Sequence, residues 1–171
     1  MKTLILLTHE NYPASKANRA LLESLPEGAP VVVRNLYEKY PDGRIDVAAE
    51  QSLAEEFDRI IFQYPMYWYD VPAFFKKWID EVLAFGWAFG TREALRGKSI
   101  GLVITTGSPR ETFTREQAGF TIEESALPVI ATIRYVKAEY AGLVTLCSAE
   151  NLDPAEVAES RAAYQRLVLG K

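Results

Sequence analysis

A chain of 171 residues with 49% hydrophobic and 25% charged side chains can bury one full-sized core, so residues 1–171 are expected to form a single domain. A net charge of −4, with acidic and basic residues interspersed, leaves no basic stripe for phosphates or anionic membrane and excludes nucleic acid as an expected partner. No apolar run nears the roughly 20 residues that span a bilayer, the start leads into polar His9-Glu10-Asn11 without a cleavage site, and the lone Cys147 has no internal disulfide partner, so a cytoplasmic address is expected.

Along the chain, short apolar runs alternate with longer stretches of helical period, the pattern of repeated βα units around a parallel sheet buried on both faces. Thr3 to Thr8 reads as a first strand, and Ser15 to Leu25 as a helix with Ala17, Leu21, Leu22 and Leu25 at helical spacing before Pro26 and Gly28 stop it. Val31 to Leu36 is a second strand. After the turn signal Pro41-Asp42-Gly43, Val47 to Phe57 reads as a short helix rich in Ala and Glu.

Arg59 to Gln63 is the third strand, and a helix starting at Pro72 places Phe74, Phe75, Trp78, Ile79, Val82 and Leu83 on one stripe. Ser99 to Thr105 is the fourth strand, Ala126 to Val136 a further helix, and Leu143 to Cys147 the fifth strand. Asp153-Pro154-Ala155-Glu156 then supplies an N-cap, a first-turn proline and a capping-box glutamate for a last helix to about Leu169. A doubly wound five-stranded sheet of this length is expected in the order 2-1-3-4-5, as an α/β three-layer sandwich. Ligands of such sheets bind outside the carboxyl ends of the strands at the switch point, here the loops after Thr8, Gln63 and Thr105.

The first loop, His9 to Asn18, is polar, and Ser15, Lys16, Asn18 and His9 add donors suited to a phosphate at a helix start. Ser15 is equally suited to capping the helix and nothing more. His9 is the only histidine of the chain, at the end of strand one; a lone histidine otherwise serves more often as a structural hydrogen-bonding group. Neither Gly-x-Gly-x-x-Gly nor the phosphate loop of nucleotide hydrolases occurs, which argues against resident NAD and against ATP or GTP turnover and leaves nicotinamide as a transient visitor.

The second loop, Gln63 to Pro72, holds four aromatics and two prolines in ten residues. A stiff, flat, apolar wall of this kind suits a planar heteroaromatic ring, and it equally suits a core or interface cluster. In the third loop, Thr105-Thr106-Gly107-Ser108, glycine permits close backbone approach, so that N–H groups can face a ring edge that becomes negative on reduction.

Together these loops resemble the NAD(P)H quinone oxidoreductases of the flavodoxin-like fold, in particular the small branch containing the KefF-type ancillary proteins of glutathione-regulated potassium efflux. The most specific stretch runs from Gln63-Tyr64-Pro65-Met66-Tyr67-Trp68-Tyr69-Asp70-Val71-Pro72-Ala73 through Lys76-Lys77-Trp78-Ile79-Asp80 to Phe85-Gly86-Trp87-Ala88-Phe89-Gly90, with Leu36-Tyr37 and Asp46 to Gln51 also alike. The resemblance implies a flavin phosphate site at His9, Ser15, Lys16, Ala17 and Asn18. It implies a ring-binding loop at Pro65, Met66, Tyr67, Trp68 and Tyr69, and a ring-edge contact at Thr105, Thr106, Gly107 and Ser108, with Trp68, Gly107 and Phe113 lining the slot.

The chain departs from the vertebrate quinone reductases where those place a tyrosine and a histidine as a proton relay: here stand Phe113 and, a few residues on, Gln117 or Ala118. It also stops after the last helix, which favours FMN, with FAD as the alternative. The implied function is hydride transfer from NAD(P)H through FMN to a quinone by a ping-pong mechanism, with no side chain required as nucleophile and no metal. A second implied role is docking on a potassium-efflux membrane protein. A single-electron flavodoxin fits less well, since those proteins resemble one another in a Ser/Thr-rich phosphate loop and a strongly acidic surface. The aromatics Trp68, Phe85, Trp87 and Phe89 predict a homodimer, in which the resemblance brings Trp87 to Gly90 toward the partner's flavin.

Overall fold

A computed structural model describes residues 1–170. Five strands, β1 (Thr3–Leu7), β2 (Val31–Asn35), β3 (Arg59–Pro65), β4 (Ser99–Thr105) and β5 (Glu139–Leu146), form one parallel sheet in the order β2-β1-β3-β4-β5. Alternation sends side chains to opposite faces, so each central strand feeds two cores at once. Leu4, Leu6, Ile60, Phe62, Ile100, Leu102 and Ile104 pack on one side. Ile5, Ile61, Val103, Val144 and Leu146 pack on the other. With both faces covered, β1, β3 and β4 become nearly continuous apolar runs, the pattern the sequence displayed.

The first core is roofed by α3 (Val47–Glu55), α4 (Ala73–Val82) and α6 (Leu127–Tyr135), the second by α1 (Lys16–Leu22) and α7 (Pro154–Leu169). In α4 the apolar stripe buries Phe75 and Trp78, whose rings meet Phe62 edge-on at 4.9 and 5.8 Å between centroids. Each such side chain contributes about 1.5–3 kcal/mol on burial. Pro72 stands at the N-cap of α4 and Leu83, expected within the stripe, at its C-cap. Gly101 in β4 admits α7: a Cβ there would lie 2.9 Å from a methyl of Leu167 and 3.1 Å from one of Ile61.

Several elements depart from expectation. β5 begins at Glu139, four residues before the expected Leu143, because it is an edge strand whose early residues alternate between exposed and half-buried, with Gly142 at φ 122 beside a register irregularity opposite Ile100 and Gly101. A four-residue α2 (Leu36–Lys39) follows β2 directly, and α5 (Ile122–Ser125), closed by a Thr121–Glu124 capping box, precedes α6. Trp87, expected among the exposed aromatics, is 6% exposed and buried within its own chain, its indole N–H donating to Glu55 Oε1 at 2.6 Å. Phe85 stays 70% exposed, with Phe89 between it and Tyr135. Among the described residues, no helix is long and apolar enough to cross a membrane.

Candidate functional site

The carboxyl ends of β1, β3 and β4 meet at the switch point, and the loops after them are tied together there. The Thr8 N–H donates to Gln63 O at 2.9 Å and the Met66 N–H to Thr105 O at 2.8 Å, so ladder bonding continues past the strand ends.

The loop after β1 turns through a single 3-10 turn, Tyr12–Ala14, before Ser15 caps α1. His9 is half-buried, and its Nδ1 accepts the Asn11 N–H at 3.1 Å, which leaves the ring proton on Nε2. Burial holds its pKa below the ordinary value, with Glu10 pulling weakly the other way. Lys16 extends across the surface to the carbonyl and carboxylate of Glu150, both at 3.0 Å. Ala17 is wholly buried against the second core. The first-turn N–H groups of Lys16 and Ala17 have no intrahelical acceptor, and the buried hydroxyl of Thr8 has no partner among the described residues.

Asn18 is 1% exposed and sits at the centre of a buried polar chain. Its Nδ2 donates to Thr105 Oγ1 at 2.9 Å and Ser15 Oγ at 3.2 Å, and its backbone N–H donates to Ser15 Oγ at 3.3 Å. Its Oδ1 accepts from Gln63 Nε2 at 3.1 Å, and Gln63 Oε1 accepts from the Tyr164 hydroxyl at 2.8 Å. The Asn18 side chain therefore points into the protein and is spent on its neighbours. Ser15 does cap α1, while keeping its own hydroxyl proton.

The loop after β3 is built differently. The strand runs to Pro65, two residues beyond the expected end, and Tyr67 and Asp70 then exchange hydrogen bonds of 3.0 and 3.1 Å across a two-residue turn. The turn residues Trp68 and Tyr69 have φ values of 49° and 67°, a left-handed pair normally supplied by Asn-Gly. Two bulky aromatics held there store strain, about 1–3 kcal/mol each. Trp68 is 94% exposed; Tyr69 meets Phe120 edge-on at 5.3 Å.

The turn after β4 is clamped from β5's exit. Thr106 N–H donates to Leu146 O, Ala149 N–H to Thr106 O and Ser148 N–H to Ser108 O, at 2.9–3.1 Å, while the Thr106 hydroxyl donates to Ser108 O at 2.7 Å. These bonds leave the Gly107 and Ser108 N–H groups without partners among the described residues. A pocket of about 220 Å³ separates this turn from the aromatic loop, lined by Met66, Trp68, Tyr69, Thr106, Gly107, Ser108 and the buried Phe113.

The structure thus brings the second and third loops onto one pocket, with Trp68, Gly107 and Phe113 all in its wall. Pro65 is buried as the last residue of β3, Tyr67 stands half-exposed beside the turn, and Thr105 lies just beneath the floor, reached by Asn18. His9 to Asn18 lies beside this pocket, joined to it through Asn18 and Thr105 rather than lining it. Sequence reasoning overlooked Gln63 and Tyr164 as parts of the site. Gln63 had a readable signal, a long polar side chain in an otherwise apolar strand; Tyr164, within a helix face of ordinary core pattern, had none.

A family model described as flavodoxin-like fold matches residues 1–168. Among curated relatives, the NAD(P)H oxidoreductase YdeQ of Bacillus subtilis is 38% identical over 169 residues, covering 96% of this chain and 84% of that protein. The potassium-efflux ancillary protein KefF of Klebsiella aerogenes is 38% identical over 176 aligned residues, covering 96% and 94%. Among solved structures, one described as a thermophilic tryptophan halogenase from Streptomycin violaceusniger is 38% identical with a TM-score of 0.89, covering 97% of this chain and 98% of that one. An NADPH-quinone reductase from P. pentosaceus is 31% identical with a TM-score of 0.88, covering 98% of both. General stress protein 14 from Treponema denticola, in complex with FMN, is 34% identical with a TM-score of 0.85, covering 98% and 95%.

Proposed function

The chain belongs to this flavodoxin-like-fold family, and from that premise we propose that it is an FMN-dependent NAD(P)H oxidoreductase that reduces quinones. The observation that carries the reading is the pocket between an aromatic wall and a turn with unspent N–H groups, placed at the sheet's switch point.

The residues fit such a cofactor. Met66, Trp68 and Tyr69 offer flat apolar and aromatic surface to a ring. The Gly107 and Ser108 N–H groups, held in place by β5's exit, are donors for a ring edge that gains negative charge. His9 Nε2–H, Ser15 and the first-turn N–H groups of Lys16 and Ala17 supply a phosphate with donors only, the chemistry a dianion requires. When bound, FMN supplies a ring that accepts a hydride and passes two electrons on to an acceptor.

With the ring in this pocket, one planar slot over its open face would serve NAD(P)H and quinone in turn, which is the basis for expecting ping-pong kinetics. Phe113, where a relay hydroxyl would stand, excludes water and contributes no proton. The exposed Phe85 and Tyr135, with Phe89 between them, form an apolar cluster through which two chains would pair.

The test is direct. The purified protein, or apoprotein incubated with FMN, should show a bound-flavin visible spectrum, and NAD(P)H oxidation against a benzoquinone should give parallel double-reciprocal lines. A colourless protein that takes up no FMN sinks the reading, and converging lines sink its ping-pong element. The likeness to KefF favours a second role, docking on a potassium-efflux protein; loss of efflux activation in a deletion strain would support it.

A further inference from the structure

The buried chain from Tyr164 to Ser15 has a direction. Gln63 Nε2 faces two oxygens of Asn18, the side-chain Oδ1 at 3.1 Å and the backbone carbonyl at 3.4 Å. A carbonyl only accepts, so the Gln63 amide must present its NH₂ to Asn18 and its oxygen to Tyr164. The Tyr164 hydroxyl, wholly buried and with its pKa pushed up by that burial, stays protonated and donates at 2.8 Å. Both ends therefore fix the same orientation.

The orientation passes on. With Oδ1 taken by Gln63, Asn18 presents Nδ2 to both Ser15 and Thr105, whose hydroxyls must accept. Ser15 Oγ accepts twice, from Asn18 N and Nδ2, so its remaining capacity is its proton. Thr105 Oγ1 is likewise an acceptor toward Asn18. These two hydroxyls are 8% and 2% exposed, and neither donates to any acceptor among the described residues. The unpartnered Thr8 hydroxyl lies at the same strand ends.

We propose that Tyr164, on α7 and outside all three loops, is a positioning residue that acts through Gln63 and Asn18 to keep Ser15 as a proton donor toward a phosphate-bearing ligand. This rests on reading the site as an FMN site. The device sets specificity: an acceptor-only phosphate gains from hydroxyls whose protons are free, whereas a neutral hydroxyl, which needs partners of either kind, gains less. Without the Tyr164 hydroxyl only the long 3.4 Å contact to the Asn18 carbonyl still sets the Gln63 amide, so a rotated state gains population in which Asn18 turns its oxygen toward Ser15 and the serine proton is spent internally.

The measurement is the affinity of the apoprotein for FMN and for riboflavin, which lacks the phosphate. Tyr164→Phe keeps the ring in the core and should lower the FMN-to-riboflavin affinity ratio by about three- to tenfold, the range expected for one hydrogen bond. General damage would lower both affinities and leave the ratio alone. In a Ser15→Ala background, Tyr164→Phe should change the ratio by less than about twofold, because the proton it controls is gone. An unchanged ratio in Tyr164→Phe, or equal effects in both backgrounds, overturns the proposal. If the wild type binds neither flavin, the FMN reading fails by itself, and inorganic phosphate followed by ³¹P line broadening then decides. Broadening by the wild type that weakens in Tyr164→Phe upholds the positioning role, and no broadening by the wild type overturns it.

Discussion

The two loops that flank the switch point solve opposite problems. The loop after β1 is anchored from beneath: Ser15, Asn18, Gln63, Thr105 and Tyr164 are all buried, and each is hydrogen-bonded to a residue of another element or of the helix start. The loop after β3 is anchored at its base by backbone hydrogen bonds and at its tip by the Tyr69–Phe120 contact alone. Its tip carries Trp68 in the left-handed region, 94% exposed. A phosphate is the same in every turnover and rewards rigid donors, whereas a slot visited by different planar molecules rewards a wall that stands free of the core. Stability is concentrated in the first loop and strain in the second.

The sharpest way to break this contrast is Asn18→Leu, which leaves Gln63 Nε2 without its best acceptor and strips Thr105 of its donor inside the core. A loss of about 2–4 kcal/mol by urea denaturation is expected, since each buried polar group left unpaired costs about 1–3 kcal/mol. A loss below about 0.5 kcal/mol, the range of ordinary surface substitutions, would mean that the network is incidental.

Gly107→Ala separates folding from binding at the ring edge. A Cβ at Gly107 meets no atom within 4 Å, and its φ is not in the left-handed region, so the apoprotein should keep its stability within about 0.5 kcal/mol. FMN affinity, read by fluorescence quenching, should still fall about tenfold, because the added methyl stands between the N–H groups and a ring. Unchanged affinity would move the ring away from this turn.

A smaller effect of opposite sign is expected at the aromatic tip. Trp68→Asn exchanges a bulky residue for one that tolerates φ 49° and should raise the midpoint of denaturation, by about 0.5–1 kcal/mol in stability, while lowering turnover with quinone. A destabilised variant would show that Trp68 packs against something in solution, a second chain being the first suspect.

The smallest effect is in pH. Burial lowers the His9 pKa in the folded state, so on acidification the unfolded chain takes up its proton first, near the ordinary value of about 6.5. Apoprotein stability should therefore decline as the pH falls below about 6.5, and His9→Gln should flatten that part of the profile. The charged ring would also lose the Asn11 N–H that Nδ1 now accepts.

Much of this molecule is legible in the chain because its information is local. Apolar runs such as Thr-Leu-Ile-Leu-Leu can only be strands covered on both faces, Pro72 and Asp153-Pro154 mark helix starts, and right-handed connection of such units restricts the sheet to few orders. The positions of the aromatic loop after β3 and the Thr105–Ser108 turn followed from that order. β5 was legible only in part, because an edge strand needs no continuous apolar run, and Trp87 was misjudged because its partner Glu55 lies 32 residues away.

The sequence by itself determined the alternation of elements and hence the sheet end at which the three loops gather, since periodicity and turn residues act through neighbours in the chain. Only the tertiary structure decided that Asn18 faces inward, that Trp68 and Tyr69 occupy a left-handed turn, and that Tyr164 reaches Gln63 across 101 positions. Hydrogen bonds between side chains so far apart exist only after the sheet has placed its strands. Their energy depends on a geometry that no local pattern encodes.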